Sequence, residues 1–424
     1  MWRKLPLIWK ILIGMSLGML WGIFAYVVGW DKFTTNWIKP WGVIFLNMLK
    51  LVAVPLIFVS LVSGIGSLTN ISKLSRIGIK TLVIYILTTV FAVTVGLFLV
   101  NIIKPGNTFP EKKKIEYQQK FFESLANKQS IAEQKKQQSF LHFLVDMVPE
   151  NIVKASSDNS KMLQVIFFAI VFGIAMVLLP DEKVSTVKRF IDGLNEIILK
   201  IIDIFMGFAP YGVFALLAAL IVDFSADIAL FKALGLYFLT VVIGLFFLIL
   251  FFYPTLIRIF VGIKPGKFLK ALLPAQLVAF STSSSAATLP VTKKQVENEL
   301  HVHLEISNFV LPIGVTINMD GTSCYQAVAA IFIAEVFGID LTLGQMLIIL
   351  LTALLASIGS PGVPGGSIVM LIIVLTSVGL PPEGIALILG VDRPLDMLRT
   401  VVNVTGDSTV ASIVAKGEGL INNT

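Results

Sequence analysis

The chain has 424 residues, 56% of them hydrophobic and only 14% charged, with a mean hydropathy of +0.88. No water-soluble domain of this length needs so many long apolar runs, so the composition excludes an ordinary globular enzyme and points to a polytopic membrane protein. A net charge of +7 would suit nucleic acid, but the bases are scattered between apolar runs, where positive-inside topology accounts for them and no nucleic-acid partner is expected.

The N-terminal MWRKLPLIWK leads into an apolar run that lasts to about residue 29. The run is too long for a signal-peptide core and lacks a small-residue cleavage site, so it reads as an uncleaved first span. Further candidate spans lie at roughly 41–68, 81–103, 162–180, 194–220 and 230–256. Basic clusters mark alternate connections: Arg3, Lys4 and Lys10; Lys73, Arg76 and Lys80; Lys183, Lys188 and Arg189; Arg258, Lys264, Lys267 and Lys270. That alternation predicts a cytoplasmic N-terminus. Residues 104–160, rich in Gln and Lys, break the alternation and are expected outside, with little fixed structure to about residue 137. All six tryptophans fall within the first 41 residues, which predicts N-terminal helices anchored at the headgroup level. The single cysteine, Cys324, excludes an internal disulfide, and the HVH at 301–303 is too little for a metal site.

Beyond residue 265 the apolar segments are interrupted midway. ALLPAQLVAFSTSSSAATLPVT (271–292) carries serines at its centre and lysines at both ends, as expected of a hairpin that enters and leaves on the cytoplasmic side. A second such segment, 347–380, has the tip GSPGVPGG at 359–366. Each is followed by a polar motif inside an apolar setting, NMDGT (318–322) and DRPLDMLRTVVNVTGD (392–407). Paired interrupted segments of this kind predict an inverted repeat with a binding site at the repeat interface.

On a helix, Asp396, Arg399, Thr400, Asn403 and Asp407 fall within one arc of roughly 100°. Charges at bilayer depth cost about 2.5–3.5 kcal/mol each, so they must meet each other or a charged ligand. One reading is an ion-paired structural helix with Asp396 and Arg399 satisfying each other, which leaves Asp407 without a partner. The other is a site for a small zwitterion or anion with cations. Arg399 could fork a carboxylate and Asp396 hold an ammonium, the demands of aspartate or glutamate. Asp320, Asp407, Asn318 and Asn403 are hard oxygen donors suited to Na⁺, or one of the acids could carry H⁺. The serine run lacks a G-x-S-x-G elbow and a buried base, so a hydrolase is not expected. An anion channel using the same polar faces stays open.

The motifs SSSAATLPVT (283–292), NMDGT (318–322), SIGSPGVPGG (357–366) and DMLRTVVNVTGD (396–407) resemble those of the dicarboxylate/amino acid:cation symporters, the glutamate and aspartate transporters. IYILTT (84–89) and MLQVIFFAIVFG (162–173) extend the resemblance over nearly the whole chain. It implies an all-α polytopic fold of eight transmembrane helices with two re-entrant hairpins, assembled as a homotrimer and working by an elevator motion. The implied division is scaffold helices at 1–80 and 161–228, an extracellular insertion at 104–160, transport-domain helices at 81–103 and 229–264, and a transport core at 265–424.

By the same resemblance, substrate contacts Ser285, Thr322, Val363, Asp396, Arg399, Thr400 and Asn403, with Arg399 on the side-chain carboxylate and Asp396 on the amino group. One Na⁺ site would use Gly314, Asn318 and Asn403 with Asp407; a second Thr316, Met319, Ser357, Ile358 and Ser360; a third Tyr85, Thr88, Thr89, Asn318 and Asp320. The second hairpin would be the extracellular gate. The resemblance also implies a multi-pass plasma (inner) membrane protein with both termini cytoplasmic. This chain departs in one respect: Ser283 and Met397 stand where archaeal and animal relatives, respectively, carry an arginine, though Arg393 is nearby.

Overall fold

The computed structural model describes residues 7–66, 71–108, 145, 148–157, 161–223, 228–358, 360, 362 and 365–421. Among them there is no β-strand, only an isolated bridge between Val302 and Ile421. Most of the 104–160 segment, together with Val363 at the second tip, lies outside the described residues.

At the N-terminal side α6 (Asp181–Asp223) packs along both α1 (Leu7–Val28) and α2 (Lys39–Gly66). Between them in the chain come α3 (Ile71–Ile103), the short α4 (Ile152–Ser156) and α5 (Met162–Leu178). The α1–α6 contact follows from glycines spaced four apart. A Cβ added at Gly14 would lie 2.3 Å from the Pro210 carbonyl oxygen, and one at Gly18 would lie 2.6 Å from that of Phe214. Small residues at i and i+4 let two backbones approach where no hydrophobic effect drives helices together. α6 itself bends by 48° between its halves 181–202 and 207–219, just ahead of Pro210. A proline there removes a ladder hydrogen bond and pushes on the preceding turn. Trp9, Trp37 and Trp41 are all more than half exposed.

By length and apolarity, four helices among the described residues can cross a membrane, or five if bent α6 counts as one span. The remaining apolar segments are interrupted. α7 (Ile228–Phe247) continues through two π turns to Val261. α8 (Pro265–Thr282) then ends at Ser283, whose φ of 51° is left-handed. Ser284 is extended and caps α9 (Ser285–Asn298) by accepting the Ala287 N–H at 3.1 Å. A serine stands at the left-handed cap that glycine usually fills, so the turn is strained. The NMDGT motif is likewise split: α10 (Leu304–Ile317) and α11 (Asp320–Val336) are separated by extended Asn318 and by Met319. α12 (Leu343–Ile358) and α13 (Gly366–Ser377) flank the second tip, where Gly365 has a φ of 80°.

α14 (Ile385–Gly417) is an unbroken helix that packs against α3, α6 to α11 and α13. It is buried on nearly every side, which is why its polar face has to be satisfied from within the protein.

Candidate substrate and cation site

The two interrupted segments meet tip to tip. Ser284 Oγ donates to the Gly362 carbonyl at 2.7 Å, and the Ala286 N–H reaches the same oxygen at 3.3 Å. Against this junction lies the polar face of α14, and between them is a cavity of about 20 Å³. Ser283 and Ser285 line it from the first tip, Met319 and Thr322 from the α10–α11 break, Ser360, Gly362 and Ser367 from the second hairpin, and Asp396, Thr400 and Asn403 from α14. That volume is on the scale of a single water.

The charged groups of α14 around Asp396 are paired within the chain. Arg399 donates to Asp396 Oδ1 at 2.9 Å and to Asp392 Oδ1 at 2.9 Å, with its guanidinium carbon 3.8 Å from the centroid of the Tyr325 ring. Arg393 donates to Asp396 Oδ2 at 3.0 Å. The ion-paired arrangement of Asp396 and Arg399 therefore exists, in a larger cluster than one i, i+3 pair. Nor does it strand Asp407, which accepts from Asn318 Nδ2 at 2.9 Å. Arg399 is buried behind Asp396 and does not line the cavity. Its Nε is buried with no hydrogen-bond partner, a donor left over from the two acids.

Residues expected to hold cations gather around the break at Asn318. A Cβ at Gly314 would lie 2.4 Å from Asp407 Oδ1 and 2.5 Å from the Tyr85 hydroxyl, so only glycine lets these three elements converge. Asn318 Oδ1 is buried without a hydrogen-bond partner, an oxygen free for a hard cation. Asp320 accepts from Thr89 Oγ1 at 2.6 Å and from the Tyr253 hydroxyl at 2.8 Å. Thr88 instead bonds to the Tyr85 carbonyl, and Tyr85 to that of Val310.

The remaining donor set lies across the break. Ser357 Oγ accepts the Met319 N–H at 2.8 Å and donates to the Ile317 carbonyl at 3.0 Å, stitching the second hairpin to it. Thr316 Oγ1 bonds to Ile313 O, and the Ser360 N–H to Ser357 O, with Ile358 next in line on α12. Asn403 Oδ1 accepts the Gly321 N–H at 2.9 Å, so α14 holds the start of α11 beside the same break.

Residues 7–417 match the model of the sodium:dicarboxylate symporter family. The chain belongs to that family. A proton/sodium-glutamate symport protein of Geobacillus stearothermophilus is 36% identical over 422 residues, covering 99% of this chain and 96% of the relative. Excitatory amino acid transporter 5 of Homo sapiens is 35% identical over 97% of this chain and 82% of its own length. The proton/glutamate-aspartate symporter of Escherichia coli (strain K12) is 34% identical over 98% and 93%. This is a family of symporters and not of enzymes, in line with the missing hydrolase elbow.

Several residues of this symporter's site were not singled out by motif. Asp392 lies within the same 100° arc as Asp396, so the helical wheel already held it. Arg393 falls just past the edge of that arc. Ser367 follows the glycines of the second tip, and its hydroxyl, like that of Ser283, is buried, unpartnered and on the cavity wall. Tyr253 reaches Asp320 from a helix 67 residues earlier, and nothing local marks it.

Proposed function

We propose that this protein takes up acidic amino acids, aspartate or glutamate, across the plasma membrane by secondary-active symport coupled to Na⁺. One observation carries the reading. The stretch Asn318–Gly321 is bonded at once to an acid suited to a cation, to the second hairpin and to the α14 residue that lines the ligand cavity. The relatives' names, glutamate and glutamate-aspartate symporters, agree with it. Ser285, Thr322, Asp396, Thr400 and Asn403 would contact substrate directly, Val363 would do so from the second tip, and Arg399 would bind the side-chain carboxylate. Asp320 and Asp407, with the oxygens gathered around Asn318 and Ser357, would hold the cations.

The same reading takes the two interrupted segments as re-entrant hairpins among eight spans, the second acting as the outer gate. The α1–α2–α6 group is then the fixed scaffold of a homotrimer, against which the core built on α14 slides. Glu418, just past α14, pairs with Arg76 and Lys80, one of the basic clusters that topology places in the cytoplasm, which supports a cytoplasmic C-terminus.

Proton coupling is the second reading, favoured by one relative named for both ions and another named for the proton alone. The Na⁺ reading rests instead on the oxygens gathered around the break, the unpartnered Asn318 Oδ1 among them. Labelled aspartate uptake into proteoliposomes under an imposed Na⁺ gradient or an imposed H⁺ gradient decides. Accumulation driven by Na⁺ alone is expected. Accumulation driven by H⁺ alone would overturn the ion assignment, and uptake under neither would overturn the substrate.

A further inference from the structure

Asp396 carries three donors. Arg399 Nη2 is on Oδ1, while Arg393 Nη1 and, at 3.4 Å, the Gly365 N–H of the second tip are on Oδ2. The two arginines are not equivalent. Arg399 also has Asp392 and the face of Tyr325, so it keeps partners if Asp396 is taken from it. For Arg393 the ion pair seen is with Asp396 alone, and its Nε, like that of Arg399, is buried with no partner. A guanidinium that is 93% buried and only partly bonded is a poor structural strut. It is held where it is by one carboxylate oxygen.

That oxygen is also bonded to the gate. A ligand ammonium on Asp396 has to compete with Arg393 for Oδ2, and in doing so it disturbs the contact to Gly365. Charge points the same way. Asp392, Arg393, Asp396 and Arg399 sum to zero, whereas without Arg393 the cluster would carry −1 at bilayer depth, which is costly.

We propose that Arg393 is a positioning residue that stands in for the substrate's ammonium on Asp396. It neutralises the unloaded site, keeps the second tip drawn onto α14, and so allows the carrier to return without cargo. The proposal rests on the symport reading above. Arg393 itself does not line the ligand cavity.

The test uses the full chain in proteoliposomes and compares two modes. Net uptake requires an unloaded return step, whereas exchange of internal for external aspartate runs with the site loaded in both directions. In Arg393→Met we expect net uptake to fall about tenfold or more, with exchange within about threefold of wild type and tighter aspartate binding. Arg393→Lys, which keeps the charge, should recover most of the net uptake. Exchange doubles as the check that each variant folds. Should Arg393→Met prove unable to exchange, Arg393→Lys is compared with wild type, and a net-to-exchange ratio restored by lysine still supports the role. Parallel loss of both modes in every variant, or no change in either, would overturn it. Wild-type vesicles that neither accumulate nor exchange acidic amino acids would overturn the symport reading, and this proposal with it.

Discussion

Gly314→Ala is the sharpest perturbation of the cation region. The added methyl would stand 2.4 Å from Asp407 Oδ1, 2.7 Å from its Cγ and 2.5 Å from the Tyr85 hydroxyl. Carbon and oxygen do not approach that closely, so something has to move. Asp407 is a short side chain tied to Asn318, and the Tyr85 hydroxyl is tied to the Val310 carbonyl, so neither is a loose end that can swing away. Overpacking a fixed site costs about 1–3 kcal/mol. If that strain falls on the arrangement that binds the cation, the Na⁺ concentration for half-maximal uptake rises about 5- to 150-fold, at about 1.4 kcal/mol per tenfold. The assay is aspartate uptake into proteoliposomes at saturating aspartate, titrated with Na⁺ at fixed pH. Gly235→Ala is the control, since a Cβ there meets nothing within 4 Å. A Gly314→Ala protein with a lowered melting temperature but an unmoved Na⁺ curve would refute the placement of a cation beside Asp407.

Arg399→Cys should lose acidic substrates and gain neutral ones; normal aspartate uptake in that variant would remove Arg399 from the site. Ser283→Ala and Ser367→Ala should each weaken aspartate binding about tenfold, the worth of one hydrogen bond to a charged group, with the maximal rate near wild type. Unchanged affinity in both would mean that those hydroxyls serve water alone. Hydrogen bonds from Lys80 and Arg76 hold the Glu418 carboxyl below the usual glutamate value. A lowered acid stabilises the fold above its ordinary value, about pH 4.3, and the contribution is lost as pH falls through the lowered one. Glu418→Gln should therefore flatten the melting temperature across that acid range, and an acid profile identical to wild type would argue against the pairing.

How much of this was legible beforehand depends on how local each cause is. Spans such as 7–28 and 81–103 follow from apolar runs and basic flanks, and the two tips follow from serine, glycine and proline content. The break in NMDGT was visible as a motif but not as a place: glycine at 321 suggests a kink there, whereas the helix opens at Asn318 and Met319. The reason is tertiary. Gly321 is needed for close approach to α14, where a Cβ would lie 2.6 Å from the Arg399 carbonyl oxygen. The opening is instead held by Ser357 and Asn403, far away in the chain. Helical periodicity found the Asp396–Arg399 face correctly and also held Asp392. It could not show which in-chain partners these acids take, because that depends on rotamers chosen by the packing around them.

The same opening explains how two ligands could be coupled without touching. Coupling needs one element with two arrangements whose balance both ligands bias. Asn318 donates to Asp407, Met319 is held by the second hairpin and lines the ligand cavity, and Gly321 is held by Asn403, which lines it too. A cation that draws Asn318 or Asp407 into its shell therefore shifts the backbone on which Met319 sits, and with it the Ser357 bond that positions the gate. A substrate that engages Asn403 acts on the opposite end of the same stretch. Ser357→Ala separates the two effects, since it cuts the hairpin from the break and leaves every cavity-lining side chain in place. It should weaken the dependence of aspartate affinity on Na⁺ more than it weakens aspartate binding at saturating Na⁺. Equal loss in both would mean that Ser357 serves packing alone, and that the coupling runs by another route.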